Sequence, residues 1–374
     1  MHHFIFASKD SWISSGSSHV DGTSFKDKNF GQDEILEVKK YFWNKSFDYP
    51  TRALISFAGN DFTTLSQSIA DGAITNPKFY LRLYEADGNQ ETSLDYKLAA
   101  LAVSQSWDEG VGKFENDPMT TNGTSWENRN YYLGSTETTW SNSSGNKIAG
   151  GTVYTGSWDA SQSFSSESPD VEMNVTDTVN SWLNDTIPDN NGFLLRFSGS
   201  QETDGITLGQ LNFFSSQTNT IYAPRLEVRW DDHKPCTGSN TGSLLPLTMS
   251  GEADNFLYMK GLRDSYRESE KVKFRIGCRK RYIQKTFSTS VQTASGSYVP
   301  EGSGSYSILD IATGEKVVPF SAYTSMSCDS TSNYFIQWLN GLYPNRIYKI
   351  IYKLKYNDGQ EQIYDDGFEF KVKS

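Results

Sequence analysis

Residues 171–230, VEMNVTDTVNSWLNDTIPDNNGFLLRFSGSQETDGITLGQLNFFSSQTNTIYAPRLEVRW, decide the fold. Val171, Met173 and Val175 alternate toward one face, the pattern of a strand with one buried side. Val175, Val179, Trp182 and Leu183 then fall at helical spacing. Thr176 is placed to cap the first turn, and Asp177 stands at its positive end. Asn190-Asn191-Gly192 is turn chemistry, and residues 193–197 return as a strand. A last strand, residues 225–230, follows Pro224. The stretch reads as strand, short helix, strand and strand.

Working outward, the upstream chain supplies short phrases in a fixed order. They are Asp10-Ser11-Trp12-Ile13, Asn29-Phe30-Gly31, Leu36-Glu37-Val38, Arg52-Ala53-Leu54-Ile55-Ser56-Phe57 and Phe79-Tyr80-Leu81-Arg82-Leu83-Tyr84. Trp107-Asp108-Glu109-Gly110 and Gly123-Thr124-Ser125-Trp126 follow. Together with the helix around Val179 and Trp182, the Gly192-Phe193-Leu194-Leu195 strand and Pro224-Arg225-Leu226, this series resembles DNRLRE-type domains. Those are jelly-roll β-sandwiches similar to carbohydrate-binding modules. Lys78 departs from the family, which has a small residue before that strand. The resemblance covers roughly residues 4–230. It implies a jelly roll with one short helix, and fold analogy allows a structural calcium, although no acidic cluster of the EF-hand kind specifies one.

The chain has 374 residues, too many for most single domains, so more than one is expected. Aromatic residues make up 14%, which suits pleated sheet faces. A net charge of −11 argues against a general nucleic-acid binder, whose affinity comes from neutralising phosphates. The opening MHHFIFASKDSW has no basic segment followed by an apolar one, so no signal peptide is expected, and it reads already as the first strand. No apolar run is long enough to span a membrane. The three cysteines, Cys236, Cys278 and Cys328, are odd in number and far apart. They match neither a metal motif nor a disulfide framework, which suits synthesis in a reducing cytoplasm.

Strands are expected at residues 35–38, 53–57, 79–84 and 96–103, with long polar loops at 115–139 and 141–151. Loops of that length in a compact domain are usually built for binding. Residues 233–268 carry the flexible composition Thr237-Gly-Ser-Asn-Thr-Gly-Ser243 and read as a connector. From 269 a second β-domain begins. Val272, Phe274, Ile276 and Cys278 alternate with Lys271, Lys273 and Arg275. Further strands are expected at 306–311, 334–339, 347–356 and 368–372, with a hairpin turn at Asn357-Asp358-Gly359. Leu342, Pro344 and Tyr348 resemble the phrase that places a tyrosine corner in fibronectin type III domains, where the tyrosine hydroxyl bonds nearby backbone. The reading is therefore all-β: residues 1–232 a DNRLRE-like jelly roll, 233–268 a connector, and 269–374 an immunoglobulin-like β-sandwich.

No catalytic set can be assembled. His2, His3, His19 and His233 are scattered, with no metal-ligand spacing, and no nucleophile elbow or phosphate loop appears. Asp108 and Glu109 beside Trp107 could suggest glycoside hydrolysis, yet adjacent strand residues point to opposite faces. Asp231/Asp232 and Asp365/Asp366 fall to the same objection. The chain is expected to be no enzyme and to need no cofactor. Trp107, Trp126, Trp140 and Trp158 are candidate sugar platforms on the loops, as the family resemblance implies; packing in the core or at an interface is the competing reading. The basic run KVKFRIGCRKRYIQK at 271–285 reads as a solvated strand face rather than a docking site.

The two-part combination resembles virion structural proteins of tailed bacteriophages, some of which join a DNRLRE-like part to a carboxy-terminal immunoglobulin-like part. Ser327-Cys328-Asp329, Tyr334-Phe335, Pro344 with Arg346 and Tyr348-Lys349-Ile350, and Asp365-Asp366 before Phe370-Lys371-Val372 carry that likeness. It implies a tail, baseplate or neck component, assembled in the host cytoplasm and located in the virion. It also implies several copies or a homo-oligomer, docked to other virion proteins, with no nucleic acid and no membrane insertion. The alternative is a carbohydrate-binding surface adhesin that uses the aromatic loops to hold a host glycan.

Overall fold

The computed structural model describes residues 1–374 apart from 19, 42–48, 72–73, 87–94, 157–158, 166–169, 251–253, 283–286, 288 and 291–295. His19, Trp158 and part of the basic run therefore lie outside the described residues. The protein is all-β in class, with curled sheets forming sandwich-like folds and two α-helices among the described residues. No described helix is long and apolar enough to cross a membrane. The chain divides into two compact units. The larger comprises Ile5–Ala73 with Lys78–Val228, and the smaller comprises Met1–Phe4, Ile74–Pro77 and Arg229–Ser374.

The first half of the larger unit's elements are β1 (His2–Ser14), β2 (Ile35–Lys40), β3 (Pro50–Phe57), α1 (Gly59–Ala70), β4 (Lys78–Leu83) and β5 (Asp95–Ala102). A small hairpin, β6 (Asn128–Asn130) and β7 (Thr138–Thr139), interrupts the long loops. Then come β8 (Ala160–Ser165), β9 (Val171–Asn174), α2 (Thr176–Leu183), β10 (Phe193–Phe197), β11 (Gly209–Phe214) and β12 (Arg225–Arg229). The sheet order is β8-β5-β10-β3-β1-β12-β4-β9, with β2 added to β3 and β11 to β2. The sheet curls until its two ends meet. Gln162 on β8 accepts the Glu172 N–H of β9 at 2.9 Å and donates to the Asp170 carbonyl at 3.4 Å.

β3 sits between β10 and β1 and has no solvent face, so Ala53, Leu54 and Ile55 are all fully buried. That is why this stretch reads as a continuous apolar run rather than an alternating one. Its first end is tied by charge. Arg52 donates from Nε and Nη2 to the buried Glu202 at 2.7 and 3.0 Å, and Arg196 reaches the same carboxylate. At β12, Arg225 is buried against Tyr84, donating to its hydroxyl and lying 4.9 Å above its ring.

Two local expectations need correction. Thr176 does not cap α2: Val175 is the N-cap, and no side chain caps it. The Thr176 hydroxyl instead accepts the Phe79 N–H of β4 at 3.0 Å and donates to Asn174 at 2.6 Å, bolting the helix start to the sheet. The second is α1, which the sequence reading leaves out. Its residues GNDFTTLSQSIA are mostly polar, and only Phe62 and Leu65 are buried. Tertiary contact makes the helix: Phe62 meets Trp182 of α2 edge-on at 6.0 Å, and Trp182 packs on Phe193 of β10 at 4.9 Å.

The smaller unit holds β13 (Leu245–Pro246), β14 (Asn255–Lys260), β15 (Ser265–Arg267), β16 (Lys271–Lys280), β17 (Ser297–Tyr298) and β18 (Gly304–Asp310). It continues with β19 (Lys316–Val318), β20 (Ser327–Cys328), β21 (Asn333–Trp338), β22 (Ile347–Lys355) and β23 (Glu361–Lys373). One sheet runs β13-β17-β16-β21-β20 with β14 added to β16, and the other runs β15-β23-β22-β18-β19. Aromatic rings join the two. Tyr306 of β18 stacks on Phe335 of β21 at 3.7 Å, and Phe274 of β16 meets Phe370 of β23 at 5.2 Å. The Tyr348 hydroxyl donates to the Tyr343 carbonyl at 3.3 Å, the corner contact that the fibronectin-like phrase implies.

Residues 233–268 are not a connector. β14 pairs antiparallel with β16 and β15 pairs parallel with β23, so the stretch is built into both sheets of the smaller unit. Gly277 explains the docking of β14: a Cβ there would stand 2.2 Å from the Tyr258 ring, which occupies the vacant place. On β16, Lys271, Lys273 and Arg275 alternate outward from Val272, Phe274 and Ile276. Lys273 and Arg275 each bond Asp329 at 2.9 Å, so part of the basic run is neutralised within the unit.

Candidate interaction surface

The loops between β5 and β8 are held by one buried side chain. Asn29, fully buried, donates from Nδ2 to the Glu109 carbonyl at 2.7 Å and the Thr124 carbonyl at 2.8 Å. Its Oδ1 accepts the N–H of Gly112 at 2.8 Å and of Gly31 at 3.3 Å. Three chain segments thus share one amide, and each approaches too closely for a side chain. A Cβ on Gly31 would lie 2.0 Å from the Glu109 carbonyl oxygen, and one on Gly112 would lie 2.1 Å from that of Asn29. One on Gly110 would meet Asn29 at 2.3 Å, and one on Gly123 would meet Gly110 at 2.4 Å. Gly110 and Gly123 also have φ of +87° and +123°, which glycine alone adopts without strain. The phrases Asn29-Phe30-Gly31, Trp107-Asp108-Glu109-Gly110 and Gly123-Thr124 are therefore one cradle seen three times along the chain.

Beneath the cradle lie the tryptophans. Trp107, Trp126 and Trp140 are 1%, 9% and 0% exposed and form a core cluster with Ile13, Leu54, Val103 and Leu194. Two of the ring N–H groups are used inside the protein: Trp107 donates to the Asn191 carbonyl and Trp140 to the Ser125 carbonyl, both at 2.9 Å. Lys9 covers the Trp107 ring at 4.4 Å and Arg52 the Trp126 ring at 4.8 Å. The expectation that these three are sugar platforms is corrected here, because a buried ring has no free face on which to stack a sugar. A second aromatic cluster, Trp12, Phe25 and Phe30, lies beside the cradle, with Trp12 and Phe30 stacked at 3.7 Å.

Apolar side chains stand out from this rigid base. Val111 is 60% exposed, Phe114 48%, Tyr132 43% and Leu133 83%. Asn122 joins the segments that carry them: its carbonyl accepts the Val111 N–H at 3.2 Å and its Oδ1 accepts the Leu133 N–H at 2.8 Å. Phe114 is fixed through its own N–H, which donates to Asp33 Oδ1 at 3.0 Å. Exposed apolar side chains that gather on ordered backbone are the candidates for an interaction surface. The sequence reading missed them because exposure cannot be read from residue type.

Charge under the surface is displaced from its usual balance. Asp10 is buried, with Oδ2 accepting the Ser216 N–H at 2.7 Å and Oδ1 without a partner among the described residues. Burial pushes its carboxyl up to about 7, and the Glu109 charge adds to the effect. Glu109 accepts the Asp10 N–H at 3.1 Å and Gln217 Nε2 at 3.2 Å, and burial raises it too. Burial likewise raises Asp33 to about 6. Among the described residues, no group of three or more His, Cys, Asp or Glu is arranged to hold a metal ion.

A second feature opens beside the cradle. A groove of about 670 Å³ is lined by Gln105, Ser141, Asn142, Ile148, Thr152 and Tyr154 together with neighbouring small residues, and among the described residues no charged side chain lines it. Gln105 fixes its floor. It donates to Ser141 Oγ and accepts from the Ser141 N–H and the Thr152 hydroxyl, each at 2.9 Å.

No family model matches the chain, and no curated protein matches it. Among solved structures, the adhesin domain of Epf from Streptococcus pyogenes aligns over 100% of this chain and 91% of its own, at 10% identity and a TM-score of 0.18. A likeness that slight carries no argument about fold or function.

Proposed function

We propose that this chain is a non-enzymatic structural component of a tailed-phage particle, in its tail, baseplate or neck, acting by docking to neighbouring virion proteins in several copies. The observation that carries the docking role is the set of exposed apolar residues Val111, Phe114, Tyr132 and Leu133 on the Asn29 cradle. A surface already ordered before binding loses little conformational entropy on association, so a few apolar anchors suffice. The phage setting rests on the resemblance of the sequence phrases. Peptide mass spectrometry on gradient-purified particles from a lysate encoding the chain tests it. Stoichiometric peptides are expected; their absence from particles overturns the reading.

The groove at Gln105 favours a second reading, the holding of a host glycan. A cleft lined by hydroxyls and amides without charge suits a neutral polyol better than an anion or cation. Tyr154 and Ile148 offer its apolar contacts. On a glycan array the chain would bind saturably, and Tyr154→Ala or Gln105→Ala would weaken that binding. An array without signal removes this reading and leaves the first standing.

A further inference from the structure

The three cysteines, distant in sequence, converge in the smaller unit, all buried and all free. They gather round Asn333 of β21. Its Nδ2 donates to Cys236 Sγ at 3.3 Å, Cys278 Sγ lies 4.0 Å from its Oδ1, and Cys328 is its register partner on β20. The segment carrying Cys236 runs alongside β20. The Cys328 N–H donates to the Lys234 carbonyl at 3.2 Å, and the Lys234 N–H donates to Ser327 Oγ at 3.1 Å. Cys236 itself is pinned, its N–H donating to Glu301 Oε2 at 2.7 Å and its thiol to the Met326 carbonyl at 3.3 Å.

Cys236 and Cys328 stand on adjoining segments: Cys236 Sγ meets the carbonyl of Met326, two residues before Cys328, and the Cys328 N–H meets the carbonyl of Lys234, two residues before Cys236. The Cys328 thiol donates to the Asp329 carbonyl at 3.6 Å. The neighbouring thiol is the first influence on the proton of each, lowering that of Cys328 and raising that of Cys236. The two directions differ, and that asymmetry marks Cys328 as the sulfur that attacks first. Cys278 is otherwise engaged: its thiol donates to the Ser297 carbonyl at 2.9 Å, and burial pushes it up to about 12.

We infer that Cys236 and Cys328 are a modification site, a thiol pair that closes into a disulfide once the chain meets a small-molecule disulfide outside a reducing compartment. The release from the cell rests on the particle reading above; the chemistry does not. The Cys328 thiolate attacks one sulfur of the small disulfide and displaces one thiolate, giving a mixed disulfide on Cys328. That thiolate takes the Cys236 proton and leaves as a thiol. The Cys236 thiolate then attacks the Cys328 sulfur and expels the second thiolate, which is protonated from solvent by the proton that Cys328 gave up. Two protein thiols are oxidised by two electrons, and one small disulfide is reduced to two thiols. Access comes from the Cys236 segment, where Asp231, Asp232, Lys234, Pro235, Thr237 and Gly238 are exposed, so that a local opening uncovers the pair. The bond would staple that segment to β20 and close a long loop, which restricts the unfolded chain.

The test incubates the full chain, purified under reductant, with oxidised glutathione, then blocks free thiols under denaturing conditions and maps peptides by mass spectrometry. The expected result is a crosslinked 236–328 peptide pair, one free thiol at Cys278, and a melting midpoint raised by several degrees that a reductant restores. Cys278→Ser should retain the crosslink, and Cys236→Ser and Cys328→Ser should each abolish it. Three free thiols after oxidation, or a crosslink through Cys278, overturns the inference. The wild-type and Cys278→Ser maps decide it even if the other variants fail to fold. Failure here leaves particle incorporation untouched, and absence from particles leaves the crosslink untouched, so the two results are separable.

Discussion

One amide, that of Asn29, satisfies two carbonyls and two backbone N–H groups while itself fully buried. Removing it strands all four, and each buried group left unpaired costs about 1–3 kcal/mol. Asn29→Ala should therefore lower stability by at least about 2 kcal/mol in denaturant titration; a loss under about 0.5 kcal/mol would mean that water replaces the amide without cost. Asp10 gives a prediction with a sign. Its carboxyl sits at about 7 in the fold against 3.8 for the free side chain, so the folded protein holds a proton that the unfolded chain has lost. Stability from this group is full below about pH 4 and falls as pH rises toward 7. Glu109 and Asp33, both raised, act in the same direction. The melting temperature should drop between pH 5 and pH 8, and Asp10→Asn should flatten the drop, being more stable than the parent at pH 8 by about 1–2 kcal/mol. An Asp10→Asn profile parallel to the parent's would refute the assignment.

At the level of elements, α1 and α2 depend on Trp182, which touches Phe62 on one side and Phe193 on the other. Trp182→Ala should cost about 3–5 kcal/mol, as large aromatic truncations in a core do. Tyr348→Phe, which deletes one hydroxyl and one hydrogen bond to the Tyr343 carbonyl, should cost about 1 kcal/mol. Parallel denaturation curves check both, and equal losses would show that the corner contact matters more than its single bond implies. The strands were legible because alternation and turn residues record burial directly: Phe79, Leu81 and Leu83 are buried where the pattern puts them. α1 was not, since Phe62, Leu65 and Ile69 are the only large apolar residues of its twelve and only the first two are buried, too narrow a stripe to announce a helix. Thr176 was misread because a threonine at the start of a helix can serve a neighbouring strand as readily as the helix itself. The tryptophans were legible as a group and illegible in depth. What buries them, Lys9, Arg52 and Leu194, comes from strands far away in sequence.

For the molecule as a whole, the proposed docking surface predicts a separation of stability from assembly. Leu133→Asp changes a side chain that is 83% exposed and should leave the melting temperature within about a degree. The same change should reduce recovery of the chain on purified particles by tenfold or more, the cost of placing a charge in an apolar contact. Unchanged recovery would move the contact elsewhere on the surface. Any sheet protein also faces a hazard that has nothing to do with partners. Exposed strand borders carry rows of unused backbone groups that recruit further strands and grow into aggregates. Here the seam made by Gln162, whose amide occupies the backbone of Asp170 and Glu172, removes part of that template where β8 and β9 come together. Gln162→Ala would uncover it, and the sign of that loss would be slow, concentration-dependent turbidity in a protein whose fold is otherwise intact. One glutamine where two strand borders meet would then limit self-association at high concentration.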